Sequence, residues 1–533
     1  MLENLLFPEI KETPESIIAK YPRREKGTVV TRIAPSPTGF LHIGAVYSAM
    51  LDKIIAHKNA GVFFLRIEDT DQKREVEGAS EKFVDIFKIF GLNFDEGPVG
   101  ENYIDVGNYG PYTQSKREYI YKVFLKDLIK KGLAYPCFLT EDELNETRAI
   151  QEASKVAIGV YKEYSPWRYA SIDDVKKALS ENKSFVIRLR SSGEITKKID
   201  VKDIIKGNIT TQENFLDIVL CKATGIPTYH FAHLIDDYLM GTTLVIRGDE
   251  WFASLPLHLE LFSMMGWEAP QYAHYGPLVK IDGEGKRKLS KRKDLEADVE
   301  FYFREGYTVE GIIDFLSNII NSSFEDWRKQ NPHLSYLDFD FKLEKVNTAG
   351  ALVDIDKLNW VNSSVIKNMD TDLLYDKLIS YLEKYDNEYL NIISKFPLEY
   401  NKKIVNELKT KIRKFNEFKE NSFFFYEDSK LPNEELLVNT KMKIDSIDVV
   451  KKALEISLDL LISKGVDFQS IDEVKTAFVE KIIEAEMKNG QVLWPVRCAL
   501  SGEEFSPGAL EMVYILGVKE STIRLQKVLK TLK

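Results

Sequence analysis

The sequence predicts a multidomain protein: a split α/β fold on a parallel sheet over residues 28–275, interrupted by an insert, then an all-α region from residue 356. Three observations predict it. Two β-branched apolar runs, at 28–34 and 62–67, bracket a stretch of helical period, which is the signature of a βαβ unit. The same pattern returns at 217–222, 229–240 and 242–247 after a stretch that breaks the rhythm. From 447 to 463, Val449, Val450, Ala453, Leu454, Ile456, Leu460 and Leu461 fall at helical spacing, and long alternating strands are missing from that third of the chain.

The elements follow in order. Residues 1–27 carry Glu3, Glu9, Glu12 and Glu15 and no apolar run, which excludes a secretory signal or an acid-poor transit peptide and leaves a flexible extension as the expectation. In the first half of the fold, 28–105, the opening strand stops at Pro35-Ser36-Pro37-Thr38-Gly39, where proline cannot continue a ladder. Ile43, Val46, Met50, Ile54 and Ile55 then mark a helix expected to end with Gly61 at C′. Residues 106–215 read as an insert with a small core of its own. The second half occupies 216–275, and 276–355 carry the basic loop Lys288-Leu289-Ser290-Lys291-Arg292.

A chain of 533 residues exceeds a single core, and at roughly 100–200 residues per domain it holds about three to five. A hydrophobic fraction of 44% and a charged fraction of 29% are those of a globular chain, not a disordered one. No run approaches the ~20 apolar residues that cross a bilayer, so no membrane partner is expected. Cys137, Cys221 and Cys498 are far apart, which excludes a disulfide scaffold and points to a reducing cytoplasm. A net charge of −10 does not announce nucleic acid, although Lys286–Lys288, Lys291–Lys293 and Lys409–Lys414 are locally basic.

Two segments carry chemistry. Arg32-Ile-Ala-Pro-Ser-Pro-Thr-Gly-Phe-Leu-His42-Ile43-Gly44-Ala45 places a histidine and a glycine at a helix start directly after a strand. A helix N-terminus offers unpaired N–H groups to an anion, Gly44 lets a bulky ligand approach, and His42 can donate to a phosphate. The second, Lys288 to Arg292, sets two lysines three apart on a loop that can close over the strand ends and neutralise a triphosphate. No Walker-type phosphate loop occurs.

Together these strings resemble the two signatures of class I aminoacyl-tRNA synthetases. With Leu65-Arg-Ile-Glu-Asp-Thr-Asp71, Pro227-Thr-Tyr-His-Phe-Ala232 and Val245-Ile-Arg-Gly-Asp-Glu-Trp251, the chain resembles the bacterial-type glutamyl-tRNA synthetase family. The resemblance implies a Rossmann-type catalytic domain, an acceptor-binding insert, a stem-contact region and an all-α anticodon-binding region. It places His42, Gly44, Glu250, Lys288, Ser290, Lys291 and Arg292 at ATP, with His42, Lys288 and Lys291 catalytic. It places Arg32, Ser36, Glu68, Tyr229 and Arg247 at L-glutamate. That fits a substrate with two carboxylates and one ammonium, which needs two cationic partners and one anionic.

The expected partners are tRNA(Glu), with tRNA(Gln) left open, and the expected state is a monomer. Mg²⁺ is expected to arrive on the nucleotide. Some relatives bind zinc through cysteines and histidines in the insert, but Cys137 stands alone there, so no structural zinc is expected. His233 stands where relatives often have asparagine. Lys409–Lys414 with Phe415 and Phe418 form a candidate anticodon reader, with an amphipathic helix burying its aromatics as the alternative. A glutaminyl-tRNA synthetase shares the fold, but usually reads Pro-x-Pro-Asn-Gly in its first signature and ends in β-structure.

Overall fold

The computed structural model describes residues 1–71, 74–428 and 430–532. The chain forms two compact units, Met1–Val299 with Leu316–Val353, and Glu300–Phe315 with the chain from Asp354 onward.

The first unit begins with two short helices, α1 (Leu2–Leu6) and α2 (Pro14–Ile18). Helix α2 is set by a Thr13/Ser16 capping box with Pro14 in its first turn. The extension is therefore not a flexible tail. Phe7, Ile10 and Ile17 are buried in the same apolar core as Phe124 and Leu128. Lys126 Nζ donates to the carbonyls of Phe7 and Ile10 at 3.0 and 2.7 Å, satisfying backbone acceptors that burial would otherwise strand. Arg24 grips Glu96 with both terminal nitrogens at 2.9 and 2.8 Å and lies 3.9 Å over the ring of Tyr109.

The βαβ unit forms as expected from β1 (Val30–Ile33), α3 (Ile43–Lys58) and β2 (Val62–Leu65), with β1 and β2 parallel and Val30 opposite Val62. One detail differs. Ala60, not Gly61, takes the left-handed C′ position at φ +50°, and the N–H groups of Ala60 and Gly61 donate back to His57 and Ala56. Gly61 is required for another reason: a Cβ there would stand 2.0 Å from the carbonyl oxygen of Val29.

The insert supplies helix α4 (Glu118–Lys130) and strands β3 (Ala134–Cys137), β4 (Val186–Leu189), β5 (Lys198–Asp203) and β6 (Gly207–Gln212). The next strand, β7 (Val219–Cys221), was expected to resume the parallel sheet. It pairs antiparallel with β4 instead, closing the sheet β3–β4–β7. A short apolar strand can bury against either sheet, and here Leu220 and Cys221 join Ile187, Leu189 and Phe124 in one core. That core continues into α5 (Tyr229–Leu239), so the insert shares its main core with the fold that carries it; only a small cluster around Phe138 and Val175 is its own.

The parallel sheet resumes with β8 (Leu244–Gly248) and β9 (Gln271–Tyr275), paired from Leu244 opposite Gln271 to Gly248 opposite Tyr275. Thr243 ties β8 to β1, donating to the Val30 carbonyl and accepting from its N–H. The antiparallel hairpin β5–β6 meets the far edge, with Asp203 opposite Tyr272. A second hairpin, β10 (Leu278–Asp282) and β11 (Gly285–Lys288), leads into the basic loop.

The second unit is helical, and among the described residues every strand lies in the first unit. Its helix Ile447–Lys464 buries Val450, Ala453, Leu454 and Leu461, the stripe that the sequence displays. The aromatic half of the candidate anticodon reader at 409–418 follows the alternative, burial in the core. Phe415 and Phe418 are core residues at 5% and 1% exposure, and Lys411, Arg413 and Lys414 are paired with Glu407, Glu417 and Glu305. Rings spent on the core cannot stack on bases.

Candidate active site

A cavity of about 480 Å³ opens at the carboxyl ends of the parallel strands, where a ligand site is expected in a fold of this kind. Its lining includes Arg32, His42, Gly44, Glu68, Tyr229, Arg247, Glu250, Lys288 and Lys291, nine of the twelve residues singled out in the sequence. Ser36, Ser290 and Arg292 are outside it. Ser36 is exposed in the turn after β1, and Arg292 is exposed on the loop. Ser290 serves the loop itself, with its N–H donating to Asp294 at 2.8 Å.

One end of the cavity gathers His42, the start of α3, Lys288 and Lys291. His42 caps α3, its Nδ1 accepting from the N–H of Gly44 at 2.9 Å. A ring that accepts at Nδ1 carries its hydrogen on Nε2, so the neutral side chain keeps a donor, which meets the Leu289 backbone. Burial, reinforced by Lys291 and Lys288, pushes the His42 pKa down to about 4, which keeps it neutral. A Cβ at position 44 would press on that ring at 2.9 Å, so glycine is needed for the cap as well as for ligand approach.

Lys291 crosses to donate to the Phe40 carbonyl at 3.1 Å, with its ammonium 5.3 Å over the Phe40 ring, and burial lowers its pKa. Lys288 pairs with Glu250 at 3.1 Å across half-exposed surface. The base of the loop is fixed by Asp294, which binds both terminal nitrogens of Arg287 at 2.6 and 2.7 Å; Arg287 holds its carboxyl well below the usual range.

The other end of the cavity gathers arginines and carboxylates. Arg32 at the end of β1 shares the buried Asp237 with Arg66, at 3.4 and 2.6 Å. Arg66 also holds Glu68 at 3.1 Å. Burial would raise Asp237, but Arg32 and Arg66 overcome it and hold the carboxyl well below its ordinary value. Glu68 is raised by burial, with Arg66 and Arg32 opposing. Behind them Arg117 binds Asp236 at 2.7 Å, so three guanidiniums face three carboxylates and the buried network is balanced. Burial pushes the carboxyl of Asp52, fully buried nearby, well above its ordinary value.

Several residues here carried no role in the sequence reading. Trp251 packs against Tyr229, ring centres 4.4 Å apart at a tilt of 38°, and forms a wall of the cavity. His258 and His274 donate nothing to the cavity but contact Arg247 from behind, at 3.2 and 2.9 Å. Trp251 stood inside a quoted motif and could have been found by its place after Arg247; His258 and His274 belong to no motif. His233 does not line the cavity. It is fully buried behind Tyr229, with Nδ1 2.9 Å from Asp237 and Nε2 3.2 Å from the Tyr272 hydroxyl, and burial pushes its pKa down to about 4. Among the described residues, no group of three or more His, Cys, Asp or Glu is placed to hold a metal ion, and Cys137 is buried as a free thiol. No described helix is long and apolar enough to cross a membrane.

Comparison with known proteins gives a consistent picture. Residues 28–360 match the catalytic domain of class I tRNA synthetases (E and Q), and residues 373–529 match an anticodon binding domain. The chain is 40% identical to a glutamate–tRNA ligase of Clostridium perfringens, over 97% of this chain and 98% of that one. It is 39% identical to the corresponding ligase of Acetivibrio thermocellus over 99% of both. Among solved structures, a glutamate tRNA ligase from Elizabethkingia meningosepticum in complex with its amino acid superposes with a TM-score of 0.81 at 30% identity, covering 95% of this chain and 100% of that one.

Proposed function

The chain belongs to the class I tRNA synthetases for glutamate and glutamine, and within them to the glutamate–tRNA ligases; from that premise we propose how its cavity works. Arg32 and Arg247 take the side-chain carboxylate of L-glutamate, Glu68 takes the ammonium, and the Tyr229–Trp251 pair walls the site on one side. The α-carboxylate is thereby turned toward the nucleotide end. There it attacks the α-phosphorus of ATP, forming glutamyl-adenylate and releasing pyrophosphate. The terminal ribose hydroxyl of tRNA then takes the acyl group and AMP leaves.

Neither step needs a protein nucleophile, so orientation and charge stabilisation carry the acceleration. His42 donates from Nε2 to a phosphate oxygen while the α3 N-terminus offers its free N–H groups. Lys288 and Lys291 neutralise the charge that develops on the leaving pyrophosphate. Lys288 must exchange Glu250 for phosphate to do so. Mg²⁺ would arrive on the nucleotide's own phosphates.

The observation that carries the proposal is the division of one cavity into a two-arginine, one-carboxylate end and a histidine-and-lysine end. Its test charges glutamate and glutamine tRNA transcripts with labelled glutamate, beside pyrophosphate exchange with tRNA present. Arg247→Ala should raise the glutamate KM on the order of 100-fold, the cost of an unmet charged hydrogen-bond pair, and leave the ATP KM near the parent value. An unchanged glutamate KM would remove Arg247 from the side-chain site. Charging of glutamine tRNA as well as glutamate tRNA would make the protein the first enzyme of an indirect route to glutaminyl-tRNA.

A further inference from the structure

Arg247 differs from the other guanidiniums of the site in its surroundings. Arg32, Arg66 and Arg117 each meet an aspartate. Arg247, only 6% exposed, donates instead to His274 Nε2 at 2.9 Å, to His258 Nδ1 at 3.2 Å and to the Trp251 carbonyl at 3.4 Å, and it lies 4.9 Å over the ring of Tyr272. Among the described residues no carboxylate reaches it at ion-pair distance.

The hydrogen-bond chain fixes both imidazoles. An arginine only donates, so both contacted ring nitrogens are bare lone pairs. His274 must then carry its hydrogen on Nδ1, and it gives it to Asp203 Oδ2 at 2.6 Å. His258 must carry its hydrogen on Nε2, which faces His230 Nδ1 at 3.0 Å. Burial lowers the pKa of both rings, that of His258 far below its ordinary value. Asp203 also accepts from the N–H groups of Ile205, Lys206 and His274 at 3.0, 2.9 and 3.1 Å, so its negative charge is met by its own turn and by the backbone of β9. The bonds to His274, His258 and Trp251 use one hydrogen each on Nε, Nη1 and Nη2. One hydrogen remains on each Nη, the pair that a carboxylate takes bidentately.

We propose that the His274–Asp203 and His258–His230 pairs set the preference for glutamate over glutamine, because they hold Arg247 in place through neutral lone pairs and leave its positive charge for the substrate. This rests on the reading that Arg247 takes the side-chain carboxylate. A carboxylate in place of either histidine would fix the guanidinium equally well but cancel its charge. Glutamate would then compete with an internal anion. Glutamine, whose amide leaves a lone buried guanidinium unpaired, would lose its disadvantage. His258, His274, His230 and Asp203 are thus positioning residues and touch no reacting atom.

The test compares His258→Asn with His258→Asp, near-isosteric side chains that differ in charge, in pyrophosphate exchange with tRNA present. The quantities read are the KM for glutamate, the KM for ATP, kcat, and the inhibition constant of glutamine. His258→Asp should raise the glutamate KM on the order of tenfold above His258→Asn while the glutamine constant holds or falls, with the ATP KM within about twofold of the parent. Equal glutamate-to-glutamine ratios in the two variants would overturn the proposal, as would a loss confined to kcat.

Arg247→Ala separates this from the wider reading. An unchanged glutamate KM there sinks both, whereas a raised KM with no difference between the His258 variants sinks this inference alone. Should either His258 variant fail to fold, imidazole ¹⁵N spectra of the parent protein decide: neutral Nε2–H at His258 and Nδ1–H at His274 near pH 6.5 support the assignment, and an imidazolium at either overturns it.

Discussion

At His42 two demands meet in the proposed site, since the ring caps a helix with one nitrogen and would offer the other to a phosphate. It can do both only while neutral, and burial with Lys291 and Lys288 close by keeps it so, at a pKa of about 4. His233 is depressed to about the same value by burial. The sign of the linkage follows. In the unfolded chain a histidine takes its proton near pH 6.5, whereas these two take it only near 4 when folded. Between those values the unfolded state binds more protons, so stability falls as pH drops from 6.5 toward 4. For the fully buried His233 the difference is worth about 3 kcal/mol. His233→Asn should therefore flatten the decline in urea midpoint between pH 7 and pH 5, and parallel declines in parent and variant would show that His233 is not held neutral. Asp237 acts in a separate window, because its depressed pKa costs stability only below the ordinary carboxylate range. Lys291 carries a further prediction at this scale. Its alanine variant should slow pyrophosphate exchange on the order of 100-fold and leave the glutamate KM unmoved, as expected for a charge used in the transition state. An equal exchange rate would end its assignment.

At the scale of elements, the opening strand, loop and helix were legible because each carries its own signal. β-branched residues make the strand, prolines end it, and an apolar stripe shows which helix face is buried. The strand at 219–221 was legible as a strand but not as a member of its sheet. Three apolar residues state that they are buried, not which edge they pair with, and the deciding partners Ile187 and Arg188 stand about thirty residues earlier. The N-terminal segment shows the reverse failure. Its Thr13-Pro14-Glu15-Ser16 start signal and its apolar Phe7, Ile10 and Ile17 are plain once the fold is known. The acidic residues between them masked a pattern too short for periodicity to reveal. The cavity lining divides the same way: most of the residues named on the signature strings line it, whereas His258 and His274 carried no signal, because they meet Arg247 through contacts that only the fold creates. Because Ile10 is 1% exposed within the shared core, Ile10→Ala should cost about 2–4 kcal/mol. A glutamate KM unchanged beside a lowered melting point would match a structural clamp, and an unaltered melting point would return the segment to the status of a tail.

For the whole molecule the problem is charge. A chain of net charge −10 has to hold a polyanion, and it can do so only where local lysines and arginines outweigh the average. Many of the basic side chains legible in the sequence are spent internally, as Lys411, Arg413 and Lys414 are on neighbouring glutamates. Those left for phosphate lie on exposed surface, where salt screens them; at 0.15 M the screening length is about 8 Å. The arginine end of the cavity is different, because Arg32 and Arg247 are 4% and 6% exposed and salt should screen them less than surface charges. One protein should therefore show two salt responses. Between about 50 and 200 mM salt, tRNA affinity should fall by one order of magnitude or more, with a log–log slope that counts phosphate contacts. Over the same range the KM for glutamate in pyrophosphate exchange, at saturating tRNA, should change by less than about twofold. A glutamate KM that tracks salt as steeply as tRNA affinity would mean that the pocket opens to solvent during turnover, and the buried arginine end would lose its physical basis.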